Sequence, residues 1–311
     1  MRKSKGSALI SALFIMTLVA IAATAMSSRL QLDIYRTRLS IASDKLYLAS
    51  QVIQFWGLSE LANPNQPFAR ADKMAKVLDF PAKLQNIYPD IKIKGALFDL
   101  QARFNLNNVY DKNFINSFQE FLKNAAKKLD QPQRVSLSMS LHNWLSPYQP
   151  GQDEITHLAY YLKQKPPYYP AQQLMQNHSE FRLLMGVNGN LYQSLKPLII
   201  ALPEQTAINI NTASKPVLMS LGLGLKEEQV KEIIEARGKK GISDLAKLSQ
   251  LLQKFNIRAE QLTIESQYFL AVANLNSEDL SLTSYTILKR KKDKEGKVKV
   301  SIINQSINVF D

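Results

Sequence analysis

The chain has 311 residues, 39 Lys and Arg against 26 Asp and Glu for a formal net charge of +13, and no cysteine. The missing thiols exclude a disulfide framework and a thiolate metal site. The charge is concentrated: three positives lie in the first six residues, and seven positives against two acids lie in residues 289–299, a pattern typical of a solvated hairpin end rather than of a nucleic-acid or lipid site.

In chain order, Arg2, Lys3 and Lys5 precede Gly6, and residues 7–26 form an uncharged, mostly apolar run. At about 1.5 Å per helical residue this run spans roughly 30 Å, the thickness of a bilayer's hydrocarbon core. The positive-inside rule puts the basic residues in the cytoplasm and the bulk of the chain across the membrane. From Leu32 the positions Leu32, Tyr35, Leu39, Ala42, Leu46, Ala49, Ile53 and Trp56 alternate in steps of three and four, the stripe of one helix face. No Pro or Gly falls between Ser7 and Trp56, so one helix of about 50 residues is predicted, with 7–26 in lipid and 27–62 an amphipathic stem. The alternative is a cleaved secretory signal ending at Ala23-Thr24-Ala25. The length of the run and the continuation of the helix through that site weigh against it.

Asn63-Pro64-Asn65-Gln66-Pro67 ends the helix. A short helix is predicted over 70–78, then one or two strands within 91–108. Helical patterns follow over 114–122, 135–145 and 155–162, break at Pro166-Pro167 and resume over 174–185; a compact helical module then runs from 211 to 261. Strands are predicted over 268–275, 281–291 and 297–303, with Asp293-Lys-Glu-Gly296 as the last hairpin turn. The expected class is α+β: a long helix on a small antiparallel sheet built from 63–110 and 266–311, with a helical insertion at 111–208 and a separate module at 209–265 looping out of that sheet.

No catalytic motif is present. His142, His157 and His178 lack metal-ligand spacing, Gly238-Lys-Lys-Gly241 is not a P-loop, and no Gly-x-Ser-x-Gly occurs, so no enzyme is expected.

A basic leader ending in Gly before a retained hydrophobic helix resembles type IV prepilins and the pseudopilins of type II secretion. The resemblance implies cleavage after residues 1–6 by a prepilin peptidase, with Ser7 as the mature N-terminus. Most members carry Glu at the fifth mature residue, where this chain has Ser11; the minor pseudopilin family called general secretion pathway protein K lacks that Glu. The Glu is thought to neutralise the N-terminal amine of a neighbouring subunit, and a subunit at the fibre tip has no such neighbour. Three further stretches are similar to that family. Asp99-Leu-Gln-Ala-Arg-Phe-Asn-Leu-Asn-Asn108 matches its DLQGRFNLNN form with Ala102 for Gly. Leu202-Pro203 with Ile208-Asn-Ile-Asn-Thr-Ala213 matches its LP…INxNTA form, and the Glu180-Phe-Arg182 stretch matches its Glu-Leu-Arg segment. The resemblance implies a pilin-like core, a place at the pseudopilus tip, I-, J- and H-type minor pseudopilins and the major pseudopilin as partners, and an inner-membrane, single-pass location with a periplasmic C-terminal part. Asn105, Asn107, Asn108, Asn209 and Asn211 read as turn and capping residues.

Residues 209–252 resemble a helix-hairpin-helix, or SAM-like, unit. Gly222 and Gly224, with Lys226, Lys239 and Lys240 nearby, suit backbone contact with a phosphate, which makes a DNA-uptake pseudopilin the alternative function. Glu227 and Glu228 oppose it, and no nucleic acid is expected. Relatives bind calcium through acidic side chains, but the family's Asp-Trp-x-Asp pattern appears here as Asn143-Trp144-Leu145-Ser146. Asp153 and Glu154 are the carboxylates left nearby, too few for a tight site, and no cofactor is expected.

Overall fold

The computed structural model describes residues 5–147, 154–238, 240–293 and 295–310. Helix α1 (Lys5–Ala62) runs unbroken for 58 residues. Its residues 7–38 are exposed. From Leu46 onward, Leu46, Ala49, Ile53, Trp56 and Leu61 are buried against a sheet, while Leu32 and Tyr35 at the start of the expected stripe stay exposed.

That sheet has five antiparallel strands in the order β1 (Lys76–Asp79), β2 (Lys92–Asp99), β7 (Tyr268–Asn276), β8 (Ser281–Lys292) and β9 (Val298–Ile307). β2 pairs with β7 from Lys92↔Asn276 to Asp99↔Phe269, so the chain leaves the sheet at Asp99 and returns at Tyr268. Side chains alternate along the strands. Phe269, Ala271, Ala273 and Leu275 face α1, while Leu270 and Val272 face the other way with Tyr285 and Ile287. Helix and sheet approach closely because Gly95 has no side chain: a Cβ there would lie 2.5 Å from Ile53 Cδ1 and 3.0 Å from Val272 O.

The segment expected as a helix over 70–78 is instead a turn followed by strand β1. Asp72 Oδ1 accepts the N–H groups of Met74 and Lys76 at 2.8 and 2.9 Å, and Ala75 sits at φ +68°; these side-chain bonds outcompete the helical turn. The stretch expected over 174–185 is a six-residue 3-10 turn, His178–Leu183, capped by Asn177 and Glu180.

Between Asp99 and Tyr268 the chain builds a second core from short elements. They are β3 (Phe104–Asn105), α2 (Ile115–Ala125), α3 (Gln131–Leu145), α4 (Glu154–Leu162), α5 (Gly189–Leu195), β4 (Ile199–Ile200), β5 (Ile208–Asn209), α6 (Lys215–Leu218), α7 (Glu227–Arg237), α8 (Ser249–Lys254) and β6 (Leu262–Thr263). Phe104, Phe118 and Phe121 stack at its centre with ring centroids 5.0–6.0 Å apart. Two-residue parallel ladders, β3 with β4 and β5 with β6, close its loops.

Polar clasps join the two cores. The Asp99 carboxylate accepts from the Gln101 N–H at Oδ1 (2.8 Å). At Oδ2 it accepts from Asn209 Nδ2 (3.0 Å), Thr212 Oγ1 (2.5 Å) and Ser266 Oγ (2.7 Å). Tyr268 Oη and Lys289 Nζ both donate to Glu204 Oε1, at 2.7 and 2.6 Å. The hydrogen bond from Lys289 is the main cause that holds the Glu204 carboxyl below the usual range. Phe310 packs on His178 and Tyr285, each 5.3 Å between centroids. At the far end of α1, Arg290 donates from Nε to Leu61 O (2.9 Å) and from Nη2 to Asn63 O (3.2 Å), occupying carbonyls that have no partner inside the helix.

Burial pushes the Asp99 carboxyl above its ordinary 3.8, against the pull of its four donors. A carboxyl with a raised folded-state pKa adds stability below the ordinary pKa that is lost as pH rises towards the folded one. The loss runs at up to about 1.4 kcal/mol per pH unit. Comparing chemical denaturation of the full chain in detergent with that of Asp99→Asn, over a pH series starting near 3.8, is expected to show a downward slope in the parent that the variant lacks. Equal slopes would mean that Asp99 is ionised throughout.

Candidate assembly interface

Among the described residues, more than half of the exposed large hydrophobic side chains lie on α1. Residues 7–26 contain no charged side chain, and Leu9, Ile10, Leu13, Phe14, Ile15, Met16, Leu18 and Val19 are all exposed. The helix is long and apolar enough to cross a membrane. Three hydroxyls of this span bond carbonyls of their own helix: Ser11 Oγ donates to Ser7 O (2.9 Å), Thr17 Oγ1 to Phe14 O (2.8 Å) and Thr24 Oγ1 to Ala20 O (2.8 Å). A hydroxyl bonded in this way costs little in hydrocarbon, so Ser11 is compatible with a lipid-facing helix where an unpaired carboxylate is not. Gly6 and Ser7 lie in the first turns of the helix.

Below the span, α1 carries a second stripe that the inward-facing pattern obscures. Ile34, Ile41, Leu48 and Phe55 recur every seven residues and are all exposed, Phe55 at 64%. At 100° per residue Leu48 and Phe55 lie on the side turned away from Ile53, while Ile34 and Ile41 border the space between the helix and the loops at the end of the sheet. A seven-residue apolar repeat is the seam of a coiled helix pair. Next to it, α1 from Leu30 to Lys45 overhangs the loops around Asp90 and Glu278, leaving a groove of about 1160 Å³ bridged by Arg38 and Asp279 at 3.3 Å.

The other candidate residues are structural or lie elsewhere. His142 Nδ1 is 3.0 Å from Val109 O and its Nε2 is 3.3 Å from Ser146 Oγ; His178 lies between Tyr192 and Phe310. The Asn residues do more than cap turns. Asn107 Nδ2 donates to Met175 O and Leu202 O, Asn108 pairs through both amide atoms with Thr206, and Asn211 does the same with Ile242. Trp144 of the Asn143–Ser146 stretch is buried against Tyr161. Asp153 and Lys239 lie outside the described residues, as do the side chains of Glu154 and His157.

The glycine hairpin is turned inward. Gly222 sits at φ +60° with its N–H on Gln261 Oε1 (3.3 Å), and Gly224 at φ +95° with its N–H on Leu221 O (3.0 Å). A Cβ on Gly222 would meet Phe255 O at 2.7 Å, and one on Gly224 would meet the Glu120 carboxyl group at 2.5 Å. Both amides are thus occupied within the chain and a carboxylate stands over the turn, which closes it to a phosphate. Gly222→Ala and Gly224→Ala are expected to cost about 1–3 kcal/mol each from strain and overpacking. Duplex DNA affinity at moderate salt should stay unchanged and weak in fluorescence titration. A salt-resistant affinity abolished by either substitution would reverse this reading.

Comparison with known proteins agrees with this geometry. Two family models, both described as type II secretion system (T2SS), protein K, match residues 102–204 and 208–265, together more than half of the chain. Type II secretion system protein K of Aeromonas hydrophila is 29% identical over 277 residues, 77% of this chain and 78% of its own. That of Klebsiella pneumoniae is 28% identical over 302 residues, covering 86% and 87%. A chain of the crystal structure of the GspK-GspI-GspJ complex from the enterotoxigenic Escherichia coli type 2 secretion system superposes with a TM-score of 0.70 at 21% identity. The match covers 88% of this chain and 99% of that one, so the fold is shared. With two matching models in sequence order, an exposed N-terminal apolar helix and this α+β fold, the chain belongs to the type II secretion system protein K family and is a minor pseudopilin.

Proposed function

We propose that this minor pseudopilin is the tip subunit of the pseudopilus. It is held in the inner membrane by residues 7–26, with its leader in the cytoplasm and its folded part in the periplasm. There it nucleates and caps the fibre with I-, J- and H-type minor pseudopilins and meets the major pseudopilin below. One observation carries the reading: a single helix is uncharged and exposed for a bilayer's length and then becomes one side of a packed αβ core. Such a helix serves as anchor and as shaft element without a joint. Ser11 supports the end position, since a subunit with nothing docked above needs no carboxylate for a neighbour's amine. The second core, carried on the sheet face opposite α1 through Ile200 and Leu202, supplies the bulk that blocks addition of another subunit. The reading requires no catalytic group, nucleic acid or cofactor; calcium at Asp153 and Glu154 is the weakest part of any alternative, with Asn143 and Ser146 where relatives have acids.

Processing tests the reading. Intact mass of the membrane-extracted chain is expected to place the mature N-terminus at Ser7, and Gly6→Ala to block cleavage because a Cβ crowds a site that takes the smallest residue. A mature chain beginning at Met26 would restore the secretory-signal alternative. Ser11→Glu is expected to bring no gain in pseudopilus number when pili are counted, because it places an unpaired carboxyl in lipid at about 2–3 kcal/mol on insertion scales. Improved assembly, or repeated copies along the shaft, would remove the tip assignment.

A further inference from the structure

The five-stranded sheet has two edges, and they differ in kind. β1 forms one; it is four residues long, slips register between Lys76 and Leu78, and pairs Lys76 with Asp79 at 2.9 Å. Short, irregular, charged edges resist the addition of another strand. β9 forms the other edge with ten residues, and among the described residues no strand lies beyond it. From Val300 it reads Val-Ser-Ile-Ile-Asn-Gln-Ser-Ile307, with neither charge nor proline, and Ile302, Ile303 and Ile307 are 42–44% exposed. One register slip, at Ile303 between the pairs Leu288↔Ile302 and Ile287↔Asn304, interrupts the stretch, and neither a charge nor a proline guards it.

The ladder decides which backbone groups are free. Arg290 N–H bonds Gln267 O on the β7 side. Antiparallel strands alternate, so Lys289 and Lys291 turn their polar groups to β9, where their partners are Ser301 and Lys299. Asn308 N–H on Thr283 O keeps the same parity. Val300, Gln305 and Ile307, opposite Arg290, Thr286 and Ser284, therefore direct their N–H and C=O groups out of the sheet. Their side chains, with that of Ile302 opposite Leu288, lie on the α1 side, which gives an incoming strand both a row of hydrogen-bonding groups and an apolar shelf.

We propose that β9 is the docking edge for an extended segment of another minor pseudopilin, which adds to the sheet as a sixth strand; this rests on the tip reading above. The charge pattern selects the occupant. Lys297 and Lys299 stand at the hairpin end of the edge and belong to no ion pair seen among the described residues, whereas Lys289 and Lys292 already face Glu204 and Glu265. The matching segment carries carboxylates at the end that meets these lysines and uncharged, β-branched residues along the rest. A second copy of this chain in antiparallel pairing would set Lys297 and Lys299 against the uncharged Ile307 end, so a different, acidic-ended partner fits better.

The test uses the full chain co-expressed with the H-, I- and J-type minor pseudopilins of its own system and purified in detergent. Hydrogen exchange is followed across residues 298–307 in the chain alone and in the complex. The amides of Val300, Gln305 and Ile307 are expected to exchange more slowly in the complex by roughly tenfold or more, as for newly bonded strand amides. Gln305→Pro removes one outward N–H and no backbone bond to β8; its side-chain bond to Ser284 Oγ (3.4 Å) is lost equally in Gln305→Ala, which serves as the control. It is expected to lower partner recovery roughly three- to tenfold, the worth of one hydrogen bond, while Gln305→Ala keeps recovery at the parent level. Ile302→Lys, which charges the edge without touching the backbone, is expected to lower recovery as well and decides the matter if the proline variant misfolds. A complex that forms with unchanged exchange over 298–307, or equally well with Gln305→Pro and Ile302→Lys, overturns the docking edge and leaves the tip reading intact. Failure of the parent chain to recover any partner overturns the tip reading and the docking edge together. Concentration-dependent protection in the chain alone would identify a second copy as the occupant and overturn the acidic-ended partner.

Discussion

Asp99 ends β2, and the two cores of the molecule meet on its two oxygens. One donor comes from the turn that follows it, and three from Asn209, Thr212 and Ser266, residues more than a hundred positions along the chain. Everything between Asp99 and Ser266 is an excursion from the sheet, and the excursion begins and ends at this carboxyl. Its burial is costly, since a carboxyl removed from water is tolerated only when its hydrogen-bonding capacity is filled. That cost confers specificity: donors this far apart in sequence converge only if the second core sits in one orientation. Gln101 adds to it, accepting from Gln267 N–H at 2.5 Å and donating to Ala207 O at 2.9 Å.

The same logic recurs in the Asn residues. A loop-rich core of short elements cannot bond its own backbone through long ladders, so side-chain amides do it instead. Asn105 ends β3, Asn107 and Asn108 follow it in one 3-10 turn, and each reaches a different part of the return path, at Leu202, Met175 and Thr206. An amide offers donor and acceptor together, which lets one side chain mimic a two-bond strand contact. Substituting aspartate would keep the acceptor and lose the donor, so the residue type is as constrained as the position.

What could be read from the sequence follows from range. The α1 helix with its end at Ala62, the Leu46–Trp56 part of its inward stripe and the last three strands rest on local periodicity and on the absence of breakers, and they appear where expected, with β9 running on to Ile307. The start of α3 was also legible, although unused: Asp130-Gln-Pro-Gln133 is a capping box with Pro in the first turn. The strand at Lys76 was not, because Asp72 decides it through two bonds to backbone amides that periodicity does not see. The Asp99 clasp was beyond reach for a related reason: Asp99, Asn209, Thr212 and Ser266 share no spacing, and only the return of β7 beside β2 assembles them. The exposed seven-residue repeat of Ile34, Ile41, Leu48 and Phe55 was present in the sequence but masked by the stronger inward stripe on the same helix.

The grip of Arg290 on the last turn of α1 bears on how the subunit carries force. A push or pull along the anchor arrives at the sheet as shear, spread from Leu46 to Leu61 over roughly 23 Å of helix at 1.5 Å per residue. Contacts loaded in parallel share the stress, so the joint is strong as long as it is not opened from one end. Fraying of the final turn would be such an opening, turning shear into peeling, one side chain at a time. With Leu61 O and Asn63 O held by a guanidinium fixed in β8, that turn is clamped, and the load path runs from the membrane into the sheet without a soft end.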